Sequence, residues 1–112
     1  MDFVDRKLSK KEISGFQNEY GDYVKLTIDV EKGWVMVGCI LHADGEKILL
    51  EKGSRQNDIW GGGINLLDKL VDTTAVLNIR PNLKNDNLEI LDQGIREKFI
   101  KIVKDYFNAL WS

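Results

Sequence analysis

Apolar and polar residues alternate without a break through "YVKLTIDV". Val24, Leu26, Ile28 and Val30 take one side, and Tyr23, Lys25, Thr27 and Asp29 the other. Successive side chains of an extended chain point to opposite faces, so this stretch predicts a half-buried strand. "WVMVGCIL", Trp34 to Leu41, is apolar at nearly every position and predicts a strand covered on both faces. Asp44-Gly45 in "HADGE" tolerates the positive φ of a tight reversal, from which "KILLEKG" is expected to return as a third strand. "IWGGGINLL" reads as a fourth, its glycines marking a bulge or a close backbone approach. "TTAVLNIR", Thr73 to Arg80, reads as a fifth, stopped by Pro81, which has no N–H for a ladder.

Helical spacing occupies the two ends. Ser9 and Glu12 stand at capping-box distance, Leu8 and Ile13 flank them as a staple, and Ile13, Phe16 and Tyr20 continue an apolar stripe to Gly21. Asp92 is a good N-cap residue, after which Ile95, Phe99, Ile102, Val103, Tyr106 and Leu110 recur down one face. The order α-β-β-β-β-β-α predicts an α+β fold. It is expected to be an antiparallel four- to five-stranded meander with an N-terminal and a C-terminal helix packed on one face.

Composition changes this picture little. A chain of 112 residues with 43% hydrophobic and 30% charged residues is expected to form one α+β domain, residues 1–112. The net charge of −2 argues against nucleic-acid binding. The one basic stretch, "RKLSKK" (Arg6 to Lys11), surrounds a helix start and reads as a solvated face. A single cysteine, Cys39, makes an internal disulfide impossible, and its apolar setting reads as an inert buried thiol. No apolar run has the length of a signal peptide core or a membrane span, so a cytoplasmic protein is expected.

Candidate chemistry gathers around "GSRQNDIWGGG", Gly53 to Gly63. A phosphate loop needs lysine and a hydroxyl after its last glycine, and Ile64 and Asn65 follow instead. In a meander, odd-numbered strands end on a common rim. That would bring Ser54, Arg55, Gln56, Asp58, Arg80, Asn82 and Asn85 together. Two guanidiniums with amide and hydroxyl partners could hold a phosphate or carboxylate. An ion pair between Arg80 and Asp58, or between Arg55 and Glu31, is the structural alternative. His42 lies beside Asp44 and Glu46, but a strand-end histidine accounts for it. No metal and no cofactor is expected. The sheet face away from the helices would stay open and half apolar, which points to a homodimer or a protein partner there. Trp60 and Trp111 are anchors for such a contact, or core.

The blocks "DVEKG", "LHADGE", "GSRQNDIWG" and "NIRPNLKNDN", with the "IREK" helix after them, resemble a small prokaryotic family of unknown function. The resemblance runs from about Val24 to Val103 and departs in "GGGINLLDKLVDTT", where family members are expected to be longer and more acidic. It implies a compact single domain and brings no activity with it. The expectation is therefore a small binding or protein-interaction domain, self-associating through its sheet. The alternative is a small enzyme or ligand-binding protein for an anionic, phosphate-bearing substrate at the Ser54–Asp58 and Arg80–Asn85 edge.

Overall fold

The computed structural model describes residues 1–112 as an α+β domain. In chain order its elements are β1 (Asp2–Val4), α1 (Lys10–Tyr20), β2 (Tyr23–Asp29), β3 (Trp34–Val37), α2 (His42–Glu51), β4 (Ile59–Asn65), β5 (Leu70–Asp72) and α3 (Gln93–Tyr106). Short 3-10 turns occupy Gln56–Asp58, Val76–Asn78, Pro81–Leu83 and Asn108–Trp111. The sheet has five strands in the order β1-β3-β2-β4-β5, every pair antiparallel. The fold class and the five-stranded antiparallel sheet are thus as the residue pattern predicts. The strands composing the sheet are partly different ones, and β2 sits at its centre in place of a chain-order meander.

The alternation in β2 does what its period demands. Val24, Leu26 and Ile28 are fully buried in the main core, with Ile13 of α1 and Phe99 and Val103 of α3 in the same cluster. Full burial of a side chain of this size stabilises by roughly 1.5–3 kcal/mol. Both helices start as the sequence predicts. Glu12 N donates to Ser9 Oγ at 3.1 Å and Ser9 N to Glu12 Oε1 at 3.0 Å, a reciprocal cap. Asp92 Oδ1 accepts from Ile95 N at 2.9 Å.

Several expectations are overturned. Asp44-Gly45 is not a hairpin turn, and "KILLE" is not a strand: both lie in α2. Gly45 and Leu49, four residues apart, are the buried positions of that helix. A Cβ on Gly45 would stand 2.8 Å from Thr27 Oγ1 and 3.1 Å from Met36 Cβ, so the glycine lets α2 lie close on the sheet. Met36, Leu49 and Ile59 form a second small core there. The sheet face expected to be open therefore carries α2.

"TTAVLNIR" is likewise not a strand. Thr74 makes an isolated bridge to Glu89, Val76–Asn78 coils into a turn, and Arg80 bridges Asn85. One side chain there replaces a missing ladder. Asn78 Oδ1 accepts from Gly61 N at 2.8 Å, while its Nδ2 donates to Gly61 O at 2.9 Å and Leu88 O at 3.0 Å. The glycine run belongs to β4, which pairs with β2 along its whole length, and Gly62 faces α3, where a Cβ would stand 2.7 Å from Phe99 Cζ. The glycines thus serve close layer packing, as the reading of a close backbone approach anticipates.

Candidate functional site

The seven residues expected to form an anion site do meet in part, since Arg80 Nη1 donates to Gln56 O at 3.0 Å. Their polar groups are turned to holding loops together. Ser54 is buried, its Oγ donating to Asp29 Oδ2 at 2.6 Å, and Asp29 Oδ1 accepts from the amides of Glu31 and Lys32 at 2.9 Å each. Arg80 Nη2 pairs with Glu46 Oε2 at 3.0 Å, the two side chains only 10% and 15% exposed, and the guanidinium lies 5.1 Å from the Trp60 ring centroid. Asn85 is buried: the two protons of its Nδ2 are shared among the carbonyls of Asn78 (2.8 Å), Glu89 (2.9 Å) and Asn87 (3.1 Å), and its Oδ1 accepts from Leu91 N (2.8 Å). Arg55, Gln56 and Asn82 stand exposed, and Asp58 half-buried. None of the seven lines a cleft. Arg80 takes Glu46 in place of Asp58, and Glu31 takes Lys98 at 2.6 Å in place of Arg55.

Concavity and convergent polar groups coincide elsewhere, at the start of α2. A cleft of about 530 Å³ lies between the first residues of β2, the N-terminus of α2 and the segment after β5. Its floor and rim are apolar (Leu41, Ala43, Ala75, Val76, Leu77), and Tyr23, Lys25, His42, Asp72 and Thr74 bring polar groups into it. A largely apolar pocket with a few convergent polar groups is the ordinary make-up of a small-molecule site.

Each polar group is held. Tyr23 Oη donates to Asp72 Oδ2 at 2.7 Å, and Asp72 Oδ1 accepts from Thr74 N at 3.0 Å and Thr74 Oγ1 at 2.7 Å. Burial and the Asp72 charge push the Tyr23 hydroxyl well above its usual range, so it stays protonated and keeps donating. Lys25 Nζ donates to Ile40 O at 2.7 Å. An ammonium has three protons, so two remain for another acceptor. The first turn of α2 leaves the amides of His42 and Ala43 without an intrahelical acceptor, beside the same cleft.

His42 is positioned by strand β4. Its Nε2 stands 2.7 Å from Gly62 O, and since a carbonyl has no proton to give, Nε2 is the protonated nitrogen. The Cδ2–Cγ edge lies on Gly61, where an added Cβ would stand 3.0 Å from Cδ2. The Nδ1 edge is accordingly turned away from the strand. Burial lowers the basicity of the ring and Lys25 lowers it further, against the opposing pull of the Gly62 hydrogen bond and Asp72. His42 is therefore a neutral ring with its acceptor nitrogen directed outward. Sequence reasoning had Lys25 and Tyr23 on the polar face of a strand but put His42 in a hairpin and residues 74–77 in a strand. Nothing in the pattern alone brings the three segments together.

The molecule so defined is a three-layer α+β domain, α1 and α3 against one sheet face and α2 against the other, with an apolar-floored cleft at a helix start. No helix is long and apolar enough to cross a membrane. The chain belongs to the family described as "Protein of unknown function (DUF5674)", which it matches over residues 2–106. No curated protein and no solved structure matches it significantly.

Proposed function

We propose that this domain binds a small molecule with an anionic head and an apolar body in the cleft at the start of α2. The observation that carries the reading is the convergence of the Lys25 ammonium and the open first turn of α2 on a pocket floored by Ala75 and Leu77. A carboxylate or phosphate there would accept from Lys25 and from helix amides, while the body covers Leu41 and Val76. The edge at Ser54–Asp58 and Arg80–Asn85 supports this role less well, because Arg80 is already paired and none of its residues lines a cleft.

The test is an amide NMR titration with 4-methylpentanoate and isopentyl phosphate, with 4-methylpentanol as the neutral control. Saturable shifts at His42, Ala43 and Val76, absent for the alcohol and lost in Lys25→Met, are expected. Equal binding of the alcohol, or no shift at these amides, refutes the reading.

Self-association is the second reading, and the observation favouring it is the apolar rim. Ile40 is 83% and Val76 76% exposed, with Leu41 beside them. Burying such side chains against a second copy would be favourable. Sedimentation of the protein and of Ile40→Asp decides it: a monomer at all concentrations rules it out.

A further inference from the structure

We infer that the ligand of the α2 cleft is a hydroxy acid, its hydroxyl donating to His42 Nδ1 while its acid group is held by Lys25. This rests on the cleft reading above and goes further by naming what the second polar group of the ligand must be.

The argument runs through one carbonyl. Gly62 O fixes the His42 tautomer by accepting from Nε2 at 2.7 Å, which leaves a lone pair on Nδ1. No protein group in the chain donates to that nitrogen, and the chain contains no buried side-chain nitrogen or oxygen without a partner. Nδ1 therefore reaches solvent. It does so from a residue that lines the cleft, with its other ring edge packed on Gly61. An acceptor at the wall of an apolar cleft favours a ligand that brings a donor, because covering it with an apolar group would leave it unpaired.

The kind of donor follows from the charges nearby. Lys25 is close enough to make a positive charge on His42 less favourable, and an ammonium group on the ligand at Nδ1 would meet the same repulsion. Asp72 pulls the other way, but less strongly than Lys25 pushes, and its two oxygens already accept from Tyr23 and Thr74. A second anionic group is excluded as well, because an oxyanion has no proton to give to Nδ1. A neutral donor remains, and a hydroxyl is the smallest group that supplies one beside an acid. Its acid group then falls to Lys25 and the first amides of α2, and its hydrocarbon part to Leu41, Val76 and Leu77.

The experiment compares 2-hydroxy-4-methylpentanoate with 4-methylpentanoate at neutral pH. Affinities come from amide shifts, and the imidazole nitrogen resonances of His42 are followed in the same titrations. One added hydrogen bond to an accessible acceptor predicts a preference of roughly 3- to 10-fold for the hydroxy acid. It also predicts a shift of the Nδ1 resonance with the hydroxy acid alone. In His42→Phe the affinities of the two acids become equal. The nitrogen resonance tests the same claim in the unaltered protein, so a variant that fails to fold does not leave it undecided. Equal affinities with an unmoved Nδ1 resonance overturn the inference and leave the cleft reading standing. If neither acid perturbs His42, Ala43 or Val76, the cleft reading falls and this inference falls with it.

Discussion

Replacing Asn78 with alanine tests how the sheet ends without a true neighbouring strand beside Gly61. Asn78 is completely buried and makes three hydrogen bonds, Gly61 N to Oδ1 and the two Nδ2 protons to the carbonyls of Gly61 and Leu88, with Thr73 O a weaker contact at 3.3 Å. Two of the backbone partners keep another bond, since Leu88 O also accepts from Ala75 N at 3.1 Å and Thr73 O from Ile90 N at 3.2 Å. The N–H and C=O of Gly61 lose the amide that serves them both. A buried polar group left unpaired costs about 1–3 kcal/mol, so Asn78→Ala should destabilise by about 4 kcal/mol. With a urea slope near 2 kcal/mol per M, the unfolding midpoint falls by about 2 M. Asn78→Asp keeps the acceptor for Gly61 N but turns a charged oxygen towards three carbonyls. It should be at least as damaging at neutral pH and recover partly in acid, where a protonated carboxyl donates again. A loss below about 1 kcal/mol for the alanine variant would refute the claim that this amide substitutes for a strand.

Other consequences are equally accessible. Because burial holds His42 below its ordinary 6.5, the unfolded chain takes up that proton first as pH falls. The stability due to the neutral ring is complete above about 6.5 and is lost as pH falls from there towards the folded value. Urea midpoints between pH 8 and 5 should therefore slope less in His42→Gln, and an unchanged slope contradicts the assignment. Glu12 is held at about 2, chiefly by the Arg6 hydrogen bond and also by the Ser9 amide. Its carboxyl carbon resonance should titrate there and move back towards 4.5 in Arg6→Ala; a normal titration in the unaltered protein would deny the pairing. Gly62→Ala sets a methyl against the Asp72 carbonyl and Phe99, so a loss of about 1–3 kcal/mol in urea is expected, and a neutral substitution would mean that α3 does not pack on β4 at Gly62.

What the chain disclosed about its fold followed from how local each signal is. The Ser9–Glu12 cap and the alternation of β2 are complete within a few residues, and both stand as read. "KILLE" is a short apolar run whose period does not separate helix from strand, and the deciding fact lies far away in sequence, where Gly45 must fit under Thr27. "TTAVLNIR" has strand composition, but a strand also needs a partner with free N–H and C=O groups. Asn78 takes the two of Gly61 with its side chain instead. β1 is three residues long, too short for any periodicity to mark it. The same limit governed the site. Lys25 was visible as a polar position of β2, while its cleft depends on a helix start that only the tertiary fold reveals.

Arginine at Arg80 shows why residue type and neighbourhood do not suffice to name a site. Its surroundings were foreseen to the extent that Gln56 is there, yet the guanidinium spends its forked donors on Glu46 and on a backbone carbonyl, stacked on Trp60. Binding a phosphate would require breaking a largely buried ion pair, and removing one partner of such a pair costs on the order of 3–5 kcal/mol. Lys25 faces no comparable penalty. Its one fixed bond is to a carbonyl, its charge has no carboxylate paired to it, and two protons remain for an incoming acceptor. The difference between a structural cation and a recruiting one is therefore whether its charge is already balanced. By that measure the cleft at the start of α2, and not the paired Arg80, is where this domain has attraction left to offer a ligand.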